Sequence, residues 1–149
     1  MQFRKYVSSD IDEIAKLFYD TVHTVNAADY TAAQLDAWAP RDLDAKLWDE
    51  SLKRHFSLVA EDEGKIVGFG DIDESGYLDR LYVRADYIDK GVGKALLARL
   101  EDAVRGDITT HASVTARAFF EKAGYSVVRR QTVERRGELL TNFVMKKTR

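Results

Sequence analysis

The segment DKGVGKALLARL, residues 89–100, places two glycines one residue apart between two lysines, directly before apolar residues at helical spacing. The glycines and lysines are Lys90, Gly91, Gly93 and Lys94. The first N–H groups of a helix have no partner within it, and glycines beside them let a phosphate oxygen approach the backbone. The segment is therefore typical of an anion-binding loop. A turn that only needs two flexible residues is the alternative interpretation.

Two better-known phosphate-binding loops are excluded, one of them at one position and the other at two. The dinucleotide-binding fingerprint needs a third glycine where this chain has Leu96. A Walker A loop needs glycine at position 88 and Ser or Thr after the lysine, where the chain has Ile88 and Ala95. A strand, a short Gly-x-Gly loop and a helix therefore remain as the local pattern.

Asp79 and His111 are the candidates for moving a proton. Asp79 interrupts the strand-like run YLDRLYV, residues 77–83, and a carboxylate between leucines needs either a partner or a function. An ion pair with Arg80 or Arg84 is its structural alternative. A histidine has the ordinary pKa that a base needs near neutral pH, although a structural hydrogen bond would also explain His111.

Composition limits the classes of function. The chain has 149 residues, 45% hydrophobic and 32% charged, which predicts one globular domain over residues 1–149. A net charge of −2 argues against a dedicated nucleic-acid-binding protein. The absence of cysteine excludes disulfides, thiolate metal sites and a cysteine nucleophile. We expect a cytoplasmic protein, since we find neither a signal peptide nor an apolar run long enough for a membrane helix.

The segment DIDESG, residues 71–76, resembles the first half of an EF-hand calcium loop. The loop needs a glutamate at its last position, where this chain has Tyr82. We therefore predict no metal site.

The order of predicted elements indicates an α+β fold. Predicted strands cover residues 1–7, two segments within 55–73 that turn at Glu63–Gly64, 77–83, 107–113 and a hairpin over 125–147 that turns at Arg136–Gly137. Predicted helices cover residues 10–25, two segments within 29–54 broken at Pro40, a run from Val92 that ends before Gly106, and 114–123. This order predicts a mostly antiparallel sheet with one parallel step across residues 77–112.

Two stretches resemble the GNAT superfamily of acyl-coenzyme A-dependent N-acetyltransferases. YLDRLYVRADYIDKGVGKALLARL, residues 77–100, resembles motif A of that superfamily, and SVTARAFFEKAGY, residues 113–125, resembles motif B at the right distance. Four further segments resemble a subgroup of small bacterial acetyltransferases called YafP-like: YTAAQLDAWAP, HASVTARAFFE, RRQTVERRG and TNFVM. The likeness then covers nearly the whole chain.

The resemblance implies an αβα arrangement in which helices flank a mixed, mostly antiparallel sheet of six or seven strands, splayed at its centre. Acetyl-coenzyme A would lie in the gap as cosubstrate, and its acetyl group would pass directly to a primary amine in a ternary complex. The chain has no cysteine and no serine elbow motif, so no covalent acyl-enzyme is expected.

The resemblance also assigns residues to the cofactor. The pyrophosphate would bind the backbone of the loop formed by Ile88, Asp89, Lys90, Gly91, Val92, Gly93 and Lys94. The backbone of Leu81 and Val83 would pair with the pantetheine, and the N–H of Val83 would polarise the thioester carbonyl. By the period of two, Asp79 shares a strand face with Leu81 and Val83, one step toward the acceptor, which makes it the first candidate base.

Several positions depart from the superfamily pattern. Asp89 brings a carboxylate to the proposed pyrophosphate site, and Ile88 replaces the usual Gln or Arg. Phe120 stands where many members have the tyrosine that protonates the thiolate, so it could only pack against the cofactor. Ser113 stands where Asn is favoured. It could donate a hydrogen bond to the pantetheine or cap the following helix.

The acceptor is expected to bind between the N-terminal helices and the final hairpin, where Tyr30, Glu134 and Asn142 are the candidate contacts. Its identity stays open among an amino acid, a polyamine, a drug amine, a peptide terminus and a protein lysine. An acyl-coenzyme A sensor without turnover is the main alternative, because Phe120 lacks a hydroxyl. A DNA-associated protein is disfavoured by the acidic charge. A homodimer is possible.

Overall fold

The computed structural model describes all residues from 1 to 149. Its helices are α1 (Ile11–Val25), α2 (Ala32–Trp38), α3 (Ala45–Arg54), α4 (Val92–Asp102) and α5 (Arg117–Lys122). Its strands are β1 (Gln2–Lys5), β2 (Phe56–Asp62), β3 (Lys65–Ile72), β4 (Tyr77–Val83), β5 (Ile108–Ser113), β6 (Ser126–Arg135) and β7 (Glu138–Lys147). None of the helices combines the length and apolar character that a membrane crossing requires.

All seven strands form one sheet in the order β1-β2-β3-β4-β5-β7-β6. Every neighbouring pair is antiparallel except β4 and β5, which are parallel. The predicted α+β fold with a single parallel step is therefore confirmed.

Helices cover both faces of this sheet. One apolar core packs α4 and α5 against the first face, with Leu78, Leu96, Leu100, Ile108 and Met145 fully buried in it. A second core packs α1, α2 and α3 against the other face, around Ile14, Phe18, Val59 and Phe69. The apolar residues of α1 recur every three or four positions, which is why a single stripe of this helix is buried. The αβα arrangement is confirmed.

The sheet is splayed between β4 and β5. The two strands pair only at Tyr77–Thr109 and Leu78–Thr110, and then diverge. On the other edge of β4, the Arg84 N–H donates to the Val67 carbonyl of β3 at 2.8 Å. Val83 and the Gly68 residue opposite it therefore form a non-hydrogen-bonded pair. In such a pair the N–H and C=O groups point to the opposite edge. Those of Leu81 and Val83 therefore face the gap between β4 and β5.

A β-bulge at Asp79 breaks the expected alternation along β4. Arg80 pairs with Asp71 and Leu78 with Ile72, so Asp79 has no partner on β3. An extra residue shifts the side chains that follow it to the other face. Asp79 therefore does not share the face of Leu81, and the prediction from the period of two was wrong at this residue.

The predicted turns and helix ends are mostly confirmed, with one displaced helix start. Both predicted hairpin turns have positive φ at their two central residues, as type I′ turns require. The last helix begins at Arg117 and not at residue 114. The N–H of Ala116 donates to the backbone O and to Oγ of Ser113, at 3.2 Å and 3.0 Å, and holds residues 113–116 in a separate turn.

Candidate active site

The N-terminus of α4 is uncapped. The first N–H bonded within the helix is that of Ala95, which donates to the Gly91 carbonyl at 3.0 Å. The N–H groups of Val92, Gly93 and Lys94 have no partner in the protein, and no side chain caps the helix. Unpaired donors at the positive end of a helix dipole attract an anion.

The two glycines of the loop serve different purposes. Gly91 has a φ of 85°, a conformation that glycine adopts without strain, and a methyl group there would meet no atom within 4 Å. A methyl group at Gly93 would lie 3.3 Å from Cε1 of Phe119, so this glycine allows α5 to pack closely against α4. Gly91 is exposed, so it leaves the backbone directly before α4 open to a ligand.

The remaining side chains of the loop are mostly exposed. Ile88, Asp89, Lys90 and Lys94 are exposed, whereas the side chain of Val92 is buried in the first core. Any contact of Val92 with a cofactor is therefore limited to its backbone. Asp89 has a φ of 63°, which a non-glycine residue adopts only rarely.

One backbone group on the open edge of β4 already has a hydrogen-bond partner. Thr21 of α1 donates its hydroxyl to the Val83 carbonyl at 3.0 Å. The N–H of Val83 and the backbone groups of Leu81 stay directed at the gap. The side chains of both residues pack on the first core, so the backbone is what they offer to a ligand.

Phe120 belongs to the core that lies behind the gap. It is 5% exposed and packs edge-to-face against Phe119 and Tyr125, with both ring centroids at 5.2 Å. Tyr125 donates its hydroxyl to Oε2 of Glu101 at 2.7 Å, and burial with this contact raises the pKa of Tyr125. Neither ring presents a free acidic proton to the gap.

A cavity of about 280 Å³ opens beside the start of the gap, and we call it the aromatic cavity. Its apolar wall consists of Phe18, Tyr30, Trp38, Trp48, Tyr77, Tyr82, Val133 and Leu140. Its polar lining consists of Asp79, Arg80, His111, Ser113, Arg135, Thr141 and Asn142. Residues from four strands and from the N-terminal helices thus meet around one space. Both candidate bases line it.

Asp79 lies within a charged cluster. Its Oδ2 is 3.5 Å from Nη1 of Arg80, and the same nitrogen donates to Oδ2 of the buried Asp71 at 2.6 Å. His55 Nδ1 lies 2.7 Å from that Asp71 oxygen. Ligand atoms of His55, Asp71 and Asp79 all lie within 4.8 Å of one another, a spacing that could hold a metal ion. The guanidinium of Arg80 already supplies the positive charge between the two carboxylates.

His111 projects from β5 into the aromatic cavity. Its ring packs edge-to-face against Tyr77 with centroids 5.3 Å apart, and its Nδ1 lies 3.4 Å from Nε2 of Gln131. Burial and the positive charges of Arg129 and Arg135 lower the pKa of His111, against the opposing effect of Asp79. The imidazole is therefore neutral at pH 7, the form that accepts a proton.

Tyr30 lines the cavity, but its hydroxyl is already engaged. It donates to the Thr141 carbonyl at 2.6 Å and accepts from the Val114 N–H at 2.9 Å. The hydroxyl thereby joins the segment before α2 to β7 and to the β5–α5 turn. Of the predicted substrate contacts, Tyr30 can offer the acceptor a ring face but no free hydroxyl.

The hairpin residues divide between the two faces of β6. Val133 and Arg135 line the aromatic cavity, and Glu134 between them does not. Since side chains alternate along a strand, Glu134 faces away from this cavity, and the structure does not support it as a contact of an acceptor bound there. Asn142 does line the cavity, and its Oδ1 is buried without any hydrogen-bond donor.

Ser113 stands at the end of β5, where the cavity meets the gap. Its Oγ accepts from the Ala116 N–H at 3.0 Å and from Nδ2 of Asn26 at 3.4 Å. The predicted capping contact therefore forms around the turn before α5. The hydroxyl hydrogen remains available to a ligand.

Comparison with known proteins gives the family. Residues 26–148 match the family model described as the acetyltransferase (GNAT) domain. The chain is 35% identical to the N-acetyltransferase YafP of Escherichia coli (strain K12) over 146 residues, which cover 98% of this chain and 95% of that protein. This chain belongs to the GNAT acetyltransferase family. The predicted enzyme class is thereby confirmed.

Two solved N-acetyltransferase structures are similar to this chain. The first, from Rhodopseudomonas palustris, is described as a GCN5-related N-acetyltransferase and as a class-II aminotransferase. It is 32% identical, with a TM-score of 0.95 over 99% of this chain and 95% of that chain. The second is PaiA N-acetyltransferase from Thermoplasma acidophilum in complex with coenzyme A. It is 18% identical, with a TM-score of 0.80 over 99% of this chain and 98% of that chain, a likeness that shows the fold alone.

The sequence did not reveal three polar residues that shape the cavity of this GNAT chain. The sequence pattern indicates Arg80 only as a possible partner of Asp79, and it does not single out Arg135. Asp71 was considered only as part of a calcium-like segment. A strand pattern predicts which residues alternate, but the buried contact between Asp71 and Arg80 depends on pairing across β3 and β4.

Proposed function

We propose that this GNAT chain transfers the acetyl group of acetyl-coenzyme A directly to a primary amine, within one domain that covers residues 1–149. The observation that carries the proposal is the gap between β4 and β5. Its free strand edge runs from the aromatic cavity, at Asp79, toward the uncapped N-terminus of α4, which follows β4 in the chain. An acceptor in the cavity can therefore lie next to one end of a long nucleotide cosubstrate that extends along the gap to α4.

The residues around the gap fit coenzyme A. Diphosphate oxygens are acceptors, and the first turn of α4 holds three unpaired N–H donors beside the positive charges of Lys90 and Lys94. The amide groups of a pantetheine arm can pair with the backbone edge at Leu81 and Val83, as an added strand would. The coenzyme A bound by the similar PaiA structure supports the same cosubstrate here.

When bound, acetyl-coenzyme A supplies a reactive thioester as the acyl donor. His111 acts as the general base, because its neutral imidazole can accept the proton that the attacking amine loses. Asp79 holds the amine in the aromatic cavity through its carboxylate. The N–H of Val83, directed at the gap, stabilises the negative charge that develops on the carbonyl oxygen.

Protonation of the leaving thiolate falls to water in this proposal. Phe120 has no hydroxyl, and the hydroxyl of Tyr125 donates to Glu101 within the core. The same observation favours a second candidate function, an acyl-coenzyme A sensor that binds the cofactor without turnover.

Two measurements on the purified chain test the proposal. Calorimetric titration with acetyl-coenzyme A tests binding, and free-thiol release across a panel of primary amines tests transfer. We expect saturable binding and thiol release with a subset of the amines. Binding without release from any amine would favour the sensor, and no binding at millimolar acetyl-coenzyme A would overturn both candidates.

A further inference from the structure

We infer that the acceptor is a free amino acid with an apolar or aromatic side chain, an inference that rests on the proposed acetyl transfer. The aromatic cavity presents a positive group, hydrogen-bond acceptors and an apolar wall within one small space. A free amino acid has the three complementary parts, namely a carboxylate, an amino group and a side chain.

Arg135 supplies the positive group. Its only hydrogen bond donates from Nη1 to the backbone O of Glu134 at 3.0 Å, and it has no carboxylate partner. Arg80, by contrast, is paired with Asp71 at 2.6 Å and lies over the ring of Trp48 at 4.5 Å. The guanidinium of Arg135 is therefore the one in the cavity that remains available, and its planar fork suits a carboxylate.

Asp79 and Asn142 supply the acceptors for an amine. The Asp79 carboxylate lines the cavity and makes no hydrogen bond closer than its 3.5 Å approach to Arg80. Oδ1 of Asn142 is buried and has no donor. A buried oxygen without a donor is destabilising, and an amine N–H would remove that penalty.

The two charges act on the same small volume. Asp79 raises and Arg135 lowers the pKa of both Tyr77 and His111, whose own pKa shifts arise first from burial. Both charged groups therefore lie close to the same pair of edge-to-face rings. This placement suits a ligand whose amine and carboxylate are attached to one carbon atom.

The apolar wall accounts for the side chain of the acceptor. Phe18, Trp38, Trp48 and Tyr82 form an aromatic surface that Leu140 completes. A cavity of about 280 Å³ is at the small end of ligand pockets, and it fits one amino acid better than a segment of polypeptide.

Matched acceptor pairs test this inference. Phenylalanine and phenethylamine share a ring and an amine, and leucine and isopentylamine share a branched chain and an amine. Only the first member of each pair has a carboxylate. We expect kcat/KM, measured by thiol release, to favour the amino acid in each pair by about tenfold or more. Arg135→Gln should lower that ratio about tenfold or more, toward equal kcat/KM for the two members of each pair. Arg130→Gln is the matched control and should keep the wild-type ratio. Arg130 lies on the same strand, its side chain has no hydrogen-bond or ion-pair partner, and it does not line the cavity.

The possible failures are distinguishable. Thiol release that is equal for both members of each pair, or larger for the decarboxylated amines, would overturn the inference and leave acetyl transfer intact. An unchanged ratio in Arg135→Gln would also overturn it. Thiol release from no amine at all would overturn the proposed function itself.

Discussion

The two ends of the gap are built in different ways. At the α4 end, the chemistry comes from the consecutive backbone N–H groups of residues 92–94, since the N–H of Ile88 already donates to the Ala85 carbonyl at 3.4 Å. The side chains of the loop there mostly face solvent. At the other end, the aromatic cavity is assembled from side chains of β4, β5, β6, β7 and the N-terminal helices. A backbone site is therefore local in sequence, and a side-chain site depends on the whole fold.

This difference indicates which substitutions should affect turnover and which should affect cofactor binding. Substitutions at the cavity end should change turnover and acceptor choice while cofactor affinity persists. Substitutions at the α4 end should change cofactor affinity first.

Replacement of the proposed base should produce the largest loss. We expect His111→Gln to lower kcat about 10²- to 10⁴-fold, since glutamine cannot take up the proton of the amine. Affinity for acetyl-coenzyme A should stay within about twofold, because the change lies at the other end of the gap. Thiol release and calorimetry measure the two quantities. His23→Gln, outside the cavity, is the control, and a normal kcat in His111→Gln would exclude this base.

The pH dependence of kcat should also report the protonation of His111. Since the pKa of His111 is lowered from its usual 6.5, the base stays neutral at pH 7 and becomes protonated only in more acidic solution. We expect kcat at saturating substrates to be level near neutral pH and to fall about tenfold per pH unit below that lowered pKa. His111→Gln should lose this acidic limb. A limb that persists unchanged in the variant would assign it to another group.

Backbone strain introduced at Gly91 should lower the affinity for acetyl-coenzyme A selectively. Gly91 has a φ of 85°, which valine adopts only at a cost of about 1–3 kcal/mol, so Gly91→Val should displace the first-turn N–H groups. We expect affinity for acetyl-coenzyme A to fall about tenfold in calorimetry. Gly64→Val is a matched control, because Gly64 has a φ of 77° and equally open surroundings in the β2–β3 turn. Equal affinity in the two variants would contradict a role for the α4 loop.

Loss of the Tyr30 hydroxyl should affect stability. Tyr30→Phe leaves the Val114 N–H and the Thr141 carbonyl without their partner, and we expect the free energy of unfolding to fall by about 1–3 kcal/mol. Chemical denaturation measures the change. Tyr19→Phe serves as control, since the Tyr19 ring stacks on His23 and its hydroxyl makes no hydrogen bond. Equal stability of the two variants would mean that the Tyr30 contacts contribute nothing.

The smallest expected effect is an increase in the affinity for acetyl-coenzyme A. Asp89→Asn removes a negative charge from the proposed diphosphate site, and asparagine tolerates the φ of 63° at this position. We expect affinity for acetyl-coenzyme A to rise about two- to fivefold at low salt, and the gain to shrink as salt screens the charge. Asp102→Asn, at the opposite end of α4, changes the net charge equally and should leave affinity unchanged. Weaker binding by Asp89→Asn would mean that the carboxylate assists the site.

The sequence predicted the fold and the position of the loop before α4 well because their signals are local. Hairpin turns with positive φ, helical apolar spacing and the Gly-x-Gly loop each lie within a few residues of the element that they define. The homodimer and the cytoplasmic location have no such structural signal and stay predictions.

The cavity was harder to predict because its geometry depends on distant pairing. Glu134 and Arg135 are adjacent, and only the register of β6 with β7 decides which of them faces the cavity. Tyr30 joins backbone groups 84 and 111 residues away, a contact that no local pattern contains. The face of Asp79 depends on a bulge in the pairing with β3.

That bulge makes the cavity sensitive to chain length. Deletion of one residue between Leu78 and Arg80 would restore regular pairing with β3 and remove the carboxylate that faces the acceptor. Related chains can therefore gain or lose this carboxylate through a single codon insertion or deletion, with the rest of the sheet unchanged. Divergence in acceptor choice is then expected to include changes of strand length as well as substitutions.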